Sequence, residues 1–379
     1  MARKTLSSKE KIFFHVGEEI KKPQTFHIPL LCLLYGILLV VGLTNLYSAT
    51  QASSYFYAQL RNLIIVVPAF LICGWLLPIK KVSDYAYVAY GLVCAMLAIV
   101  LGLGRIAGGA QRWIHLGFIG FQPSEFAKLV LAITVARFFA LNRVSGAYRI
   151  RDLIPVAALI GLPFTLIFTQ PDFGTAGLCL IVAVAQIAFV RIDLRSIGIV
   201  LLSSPLVAMI GWQFFLMDYQ KLRVLNLLNP DLDPLNTGYN SLQSLIAIGS
   251  GGLVGKGFMD GTQTHLKFLP ERHTDFIFSV FAEENGFLGA GFIFVVFGLL
   301  TYVALDISKH SRDTFSSLLA IGIAALIFAE FAINTGMVLG IFPVVGLPLP
   351  FFSFGSSMLL TISVGIGFLI SIHRVSLTR

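Results

Sequence analysis

Charge is what this chain has least of. Asp, Glu, Lys and Arg make up 12% of its 379 residues, against 56% hydrophobic residues. A soluble domain carries about 25% charged residues. A chain this apolar cannot cover a water-facing surface, so lipid must be its solvent. Cysteine is sparse too. Cys32, Cys73, Cys94 and Cys179 each sit inside an apolar run without a C-x-x-C pair, which argues against a disulfide framework or thiolate metal site and leaves buried thiols. The seven histidines show no H-x-x-x-H spacing, so no zinc site is signalled. Internal repeats and low-complexity stretches are missing. The net charge of +8 does not indicate nucleic acid, because the cations are dispersed over short loops and tails, a pattern that reads as membrane topology.

What is present is a series of apolar runs. A spanning helix needs about 20 mostly apolar residues. Runs of that order lie near 28–48, 60–77, 84–103, 124–141, 152–170, 173–190, 196–216, 276–305, 314–339 and 355–373. The pattern predicts an all-α polytopic membrane protein of about ten transmembrane helices. A polar, basic tail over residues 1–27 precedes a single membrane domain at 28–373, and a short tail follows at 374–379. The first apolar run is too long for the core of a signal peptide and is expected to remain as a span. With the loops numbered alternately, the side of the N-terminus holds 17 of the 27 Lys and Arg. The short loops on the other side hold only Arg105 and Arg112. Both termini are therefore predicted to be cytoplasmic.

One long loop, 217–275, lies on the opposite side, between the seventh and eighth spans. Residues 226–240 are rich in Asn, Pro and Asp and predict turns. Residues 241–248 alternate Leu and Ile with Ser and Gln at helical spacing, which predicts a short amphipathic helix at the interface. A glycine run follows at Gly249, Gly251, Gly252, Gly255 and Gly257. It fails the phosphate-loop pattern, because Gly257 follows Lys256 where Ser or Thr is required.

Ionisable residues within spans cost about 2.5–3.5 kcal/mol each on insertion scales and mark function by default. Glu125 and Lys128 open the fourth span three positions apart, on one helix face. They read either as a capped, charge-paired helix start or as a functional pair. Asp275 opens the eighth span and reads either as a helix cap or as a base. Glu283 and Glu284 follow about two turns deeper, and at least one of them must face the protein interior. Arg112, Arg223, Lys267 and Arg272 are basic residues that stand near these acids in sequence, suited either to lipid headgroups or to a phosphate-bearing ligand. Glu330, in the ninth span, is expected to pair with one of those four or to serve as a structural hydrogen-bonding group. The stretch FPVVGLPLPFF, 342–352, has too much proline for regular helix and predicts an outer loop or a re-entrant segment lining a cavity.

The segments GAQRWIHLGFIGFQPSEFAKL, QPDFGTA, FLPERHTDFIFSVFAEE and GMVLGIFPVVGLPLPFFSFGSS resemble, in order and nearly from end to end, those of the shape, elongation, division and sporulation (SEDS) family. LPERHTDF and GIFPVVGLPLPF are most similar to its rod-elongation branch. The resemblance implies a peptidoglycan glycosyltransferase that polymerises lipid II, a disaccharide-pentapeptide on undecaprenyl diphosphate. It implies Asp275 as the essential acid, Glu125 and Lys128 as the acid and base of the PSEFAK segment, and Arg112 as a phosphate contact. Glu125, Lys128, Arg223, Lys267 and Arg272 are further candidates for substrate binding, with Lys128 expected to help stabilise the departing diphosphate. It also implies dependence on a divalent cation (Mg or Mn), and as partners a class B penicillin-binding protein and other elongation-complex proteins. The expected location is the bacterial cytoplasmic (inner) membrane, with the site facing the periplasm or cell exterior. The alternatives are a lipid II flippase and a non-catalytic scaffold for a penicillin-binding protein.

Overall fold

Each of the ten apolar runs folds as a helix, because an unpaired backbone amide is not tolerated in hydrocarbon and a helix pairs its own. The structure, a computed structural model, describes residues 26–103, 105–107, 110–116, 119–228, 237–265, 269 and 271–378. The predicted N-terminal tail up to residue 25 lies outside them. The spans are α1 (His27–Thr50), α2 (Ser54–Leu71, continued by a π-helical turn at Ile72–Leu76), α4 (Ala86–Leu103), α5 (Pro123–Leu141), α6 (Ile150–Phe168), α7 (Phe173–Ala188), α8 (Leu194–Ile210, continued by a π-helical turn at Gly211–Phe215), α12 (Ile277–His310), α13 (Thr314–Val338) and α14 (Ser356–Leu377). Seven of these are long and apolar enough to cross a membrane on those grounds alone. α4 and α7 are shorter apolar helices, and α5 carries Glu125, Lys128 and Arg137. The chain is a multi-pass helical membrane protein. Short α3 (Ile79–Asp84) joins α2 to α4.

Two features depart from the sequence reading. Between α4 and α5 the chain makes a small antiparallel sheet, β1 (Arg105–Ala107), β2 (Ala110–Leu116) and β3 (Ile119–Phe121), in the order β1-β2-β3. In the long loop, α9 (Asp218–Leu228) precedes the predicted amphipathic helix, which is α10 (Thr237–Ser250), and α11 (Thr262–His265) follows. Residues 229–236 of the predicted turn region lie outside the described residues, while its two ends are helical.

α10 places its small residues inward. Ser244 and Ala247 are buried, whereas Leu242, Leu245 and Ile246 are exposed. Ser244 Oγ donates to Val338 O (2.7 Å) and shares a hydrogen bond with Ser279 Oγ (2.9 Å), which fixes the loop helix to α12 and α13.

The glycine run lies against α12 at a break in that helix, where Gly286 takes φ 64°. The amides of Lys256 and Gly257 donate to Glu283 O and Glu284 O, each at 3.0 Å, and those of Phe287 and Leu288 donate to Gly252 O and Leu253 O. The freed carbonyls and amides of the broken helix are thus satisfied by the loop. Only glycine permits the approach: a Cβ on Gly255, itself at φ +83°, would stand 2.0 Å from Glu284 O.

The centre of the bundle is α13 and α14, whose apolar windows are 72% and 78% buried, against 6% for α8 at the periphery. α13 packs against α5, α7 and α12. That central position decides what its few polar side chains can reach.

Candidate functional site

Lys128 is wholly buried on α5, and two carboxylates meet its ammonium. Glu125, one turn earlier, accepts from Nζ at 2.7 Å, and Glu330 of α13 accepts through Oε1. Glu330 therefore pairs with Lys128, not with any of the four basic residues considered from sequence. All three groups are at most 3% exposed. Burying one such charge costs several kcal/mol, on the order of the gain from pairing, so removing Lys128 leaves the two carboxylates with an uncompensated desolvation penalty.

Asp275 stands one residue before the N-cap of α12. The cap position is Phe276, which offers no side-chain acceptor. Its backbone is held from α13: Asn334 Nδ2 donates to Asp275 O at 2.9 Å and to Leu347 O at 2.7 Å. Asn334 is fully buried, and it lies one turn along α13 from Glu330. A single turn of α13 thus ties together the start of the fourth span, the end of the long loop and the proline-rich segment.

That segment is non-helical, as its proline content predicts, and its later apolar side chains are packed into the protein. Residues 343–349 are non-helical, and Leu347, Leu349, Phe351 and Phe352 are at most 2% exposed. It clasps the residues before Asp275. Ser353 Oγ donates to Thr274 O (2.6 Å) and accepts from Leu349 N (2.8 Å), and Phe354 N donates to His273 O (2.9 Å). Gly346, at φ +71°, faces the carboxylate: a Cβ there would lie 3.4 Å from Asp275 Oδ2. Of the five acids picked out from sequence, Glu125, Glu283, Glu284 and Glu330 are buried, and Asp275 alone keeps partial exposure. Glu283 is occupied by Lys256 Nζ (2.7 Å), Thr262 Oγ1 (3.1 Å) and the amide of Gln263 (3.1 Å), which makes it an anchor for the loop. Glu284 accepts from Ser48 Oγ of α1.

The basic candidates divide. Arg272 is half-buried three residues from Asp275, and burial pulls its pKa below the ordinary arginine value. Beside it His273 stacks on Tyr55 with 4.3 Å between ring centroids. Burial pushes the imidazole pKa down and the Arg272 charge adds to this, against an opposing pull from Glu271. Arg223 on α9 lies over the Tyr219 ring at 5.5 Å. It lines a groove of about 110 Å³ with Leu242, Leu245, Phe342 and Val344, at the entrance to the proline-rich segment. Arg112 is on β2, with its side chain outside the described residues, and Lys267 lies outside them altogether.

Sequence reasoning missed Asn334 and Asp172. Asp172, in QPDFGTA, is buried, caps α7 by accepting from Thr175 N (3.3 Å), and accepts from Gln122 Nε2 (3.4 Å) just ahead of α5. Its place directly before a helix start was a readable signal. An Asn inside an apolar span, as at position 334, is another. Among the described residues no group of three His, Cys, Asp or Glu is placed to hold a metal ion.

Known proteins share this arrangement of helices. The FtsW/RodA/SpoVE family model, described as cell cycle protein, matches residues 23–377. The chain is 41% identical over 297 residues to the peptidoglycan glycosyltransferase MrdB of Escherichia coli K12, covering 78% of this chain and 80% of that protein. It is 32% identical over 369 residues to the stage V sporulation protein E of Bacillus subtilis, covering 92% and 97%. Among solved structures, one described as a peptidoglycan synthase complex that coordinates polymerization and crosslinking aligns at TM-score 0.79 and 29% identity, covering 92% of this chain and 98% of that one. The rod shape determining protein RodA of Thermus thermophilus aligns at TM-score 0.69 and 28% identity, covering 92% and 97%. With the family model matched over nearly its whole length, and with the PSEFAK, HTDF and proline-rich segments joined at one turn of α13, the chain belongs to the FtsW/RodA/SpoVE family, the SEDS proteins.

Proposed function

We propose that this chain is a peptidoglycan glycosyltransferase of cell elongation, which polymerises lipid II at the end of the bundle where Asp275 lies. The observation that carries the reading is a partly exposed carboxylate whose own carbonyl is held by Asn334 and whose two preceding residues are clasped by Ser353 and Phe354, in a chain 41% identical to a peptidoglycan glycosyltransferase. A general base needs that fixity, because proton transfer demands hydrogen-bond reach in a defined geometry.

The 4-hydroxyl of the lipid II sugar attacks the anomeric carbon of the growing strand. Asp275 takes the hydroxyl proton as the new C–O bond forms, and the bond from that carbon to the undecaprenyl diphosphate breaks. An α-linked diphosphate becomes a β-linked glycan, so one inverting displacement suffices. Arg112, Arg223, Lys267 and Arg272 supply positive charge for the diphosphate. The ammonium of Lys128 is already engaged by Glu125 and Glu330, so these three position α5 against α13 and do not meet the leaving group. The described residues do not form a protein-only cation site. A divalent ion would enter only as a companion of the substrate diphosphate, and no step is routed through it.

The site faces the outside of the cytoplasmic membrane, a reading supported by the excess of Lys and Arg in the opposite loops and tails. The partner is a class B penicillin-binding protein, with other elongation-complex proteins alongside. The test is reconstitution of the purified chain with that partner, the partner's own active sites blocked, and labelled lipid II supplied. Glycan polymer supports a polymerase. Labelled lipid II that crosses the bilayer without polymer would establish a flippase instead, and neither outcome would leave a scaffold.

A further inference from the structure

The clasp on the residues before Asp275 is itself held, from α2. Gln59 lies about one and a half turns into that helix and is 1% exposed. A spanning helix packs through apolar side chains, and a buried amide without partners is costly, so a glutamine there marks a specific contact. Its amide pairs with the chain on both sides of Phe354. Nε2 donates to Ser353 O (3.4 Å), and Oε1 accepts from Gly355 N (3.3 Å). That is the two-way exchange a neighbouring strand would make. Asn62, one turn further on, donates to the same Oε1 at 3.5 Å and so orients the amide.

The same face of α2 grips the other side of the clasp. Tyr55, one turn before Gln59, stacks on His273 and meets the Phe354 ring edge-on, with 5.1 Å between those centroids. Contacts therefore run from Gln59 and Tyr55 to residues 353–355. From there they run to the carbonyls of His273 and Thr274, which accept from Phe354 N and Ser353 Oγ, and so to Asp275. Asn334 holds the carbonyl of Asp275 from α13. α2 holds the two residues before it.

We propose that Gln59 is a positioning residue for Asp275, with Tyr55 as its aid: α2 sets where the carboxylate stands by holding both sides of the clasp. The inference rests on the reading of Asp275 as the base. Gln59 is too buried to meet substrate, so its effect passes through the clasp alone.

The test is lipid II polymerisation by the purified chain with its partner, the partner's active sites blocked, for Gln59→Met beside a matched control, Gln186→Met. Gln186 of α7 is also fully buried and also makes two hydrogen bonds to backbone, to Ala132 O and Leu318 O, each at 2.9 Å. Leu318 lies about 24 Å along α13 from Asn334. Both variants should lower the melting midpoint. Only Gln59→Met should lower kcat, with KM within about threefold. A shift of about 1 Å at a reacting group costs on the order of 100-fold in rate. Gln59 acts at one remove, through hydrogen bonds at the long end of their range, so a loss of about tenfold is expected. Amide exchange at Phe354 should rise in Gln59→Met and stay unchanged in Gln186→Met. Tyr55→Leu, at an exposed position, should lower kcat as well, and Tyr55→Phe, which keeps the ring, should recover it. With a polymerising wild type, an unchanged kcat in Gln59→Met or Tyr55→Leu would overturn the positioning role, as would an equal loss in Gln186→Met. Asp275 would then still stand as the base. A wild type that forms no polymer would instead overturn the polymerase reading, and this inference with it.

Discussion

Replacing Asn334 by leucine keeps the volume of the side chain and deletes two hydrogen bonds at once, to Asp275 O and to Leu347 O. Each carbonyl left without a donor costs about 1–3 kcal/mol. The substitution also removes the Oδ1 of Asn334, which has no partner of its own and returns part of that cost. The net loss is about 2–4 kcal/mol, or a fall in melting midpoint of roughly 3–5 °C. The larger effect should be kinetic. A shift of about 1 Å at a reacting group costs on the order of 100-fold in rate, and Asn334 is the tie between Asp275 and the centre of the bundle. Lipid II polymerisation by Asn334→Leu should show kcat reduced about 100-fold with KM within about threefold, measured well below the melting midpoint. A merely structural asparagine would lower the midpoint and leave kcat near that of the wild type, and that result would refute the positioning role.

Three further outcomes are expected. Lys128→Met should cost about 3–5 kcal/mol by leaving Glu125 and Glu330 buried together. Adding Glu125→Gln and Glu330→Gln should recover most of that loss in a thermal melt, whereas a stable Lys128→Met would show that the cluster carries no structural charge. Gly255→Ala, at φ +83° and 2.0 Å from Glu284 O, should undock the glycine-rich loop and raise amide exchange over 251–257; unchanged exchange would contradict the docking. The lowered pKa of His273 makes the unfolded chain bind that proton first. Stability should therefore fall as pH drops through about 6.5 toward the depressed value, and be unaffected by this group at higher pH. His273→Phe, which keeps the stack on Tyr55, should flatten that slope in melts taken between those limits.

The spans were legible because a hydrocarbon solvent leaves one signal, an apolar run of sufficient length, and every run became a helix with ends within six residues of those read from sequence. The proline-rich segment was legible for a related reason, since proline forbids the helix. The small sheet at 105–121 and α9 were not, because neither is long or apolar and no solvent boundary marks them. The site was legible only in part. Glu125 and Lys128 announce themselves by i, i+3 spacing, but the Glu330 partner lies 202 positions away from Lys128, and local pattern carries no information about which span packs on which. The same limit hid Asn334, whose role exists only where α12, α13 and the proline-rich segment meet. The glycine run showed that it was not a phosphate loop, while its docking onto a broken helix appears only once Gly286 is seen facing it.

The base is the center of the chemistry proposed for this fold. The most direct measurement is the initial rate of labelled lipid II polymerisation by purified Asp275→Asn beside the wild type, with the partner's active sites blocked and both proteins shown to melt at the same temperature. The substitution keeps the shape and the backbone bond to Asn334 and removes the proton acceptor. Polymer should be lost from Asp275→Asn and present in the wild type. Polymer formed by Asp275→Asn at the wild-type rate would contradict the assignment of Asp275 as the base.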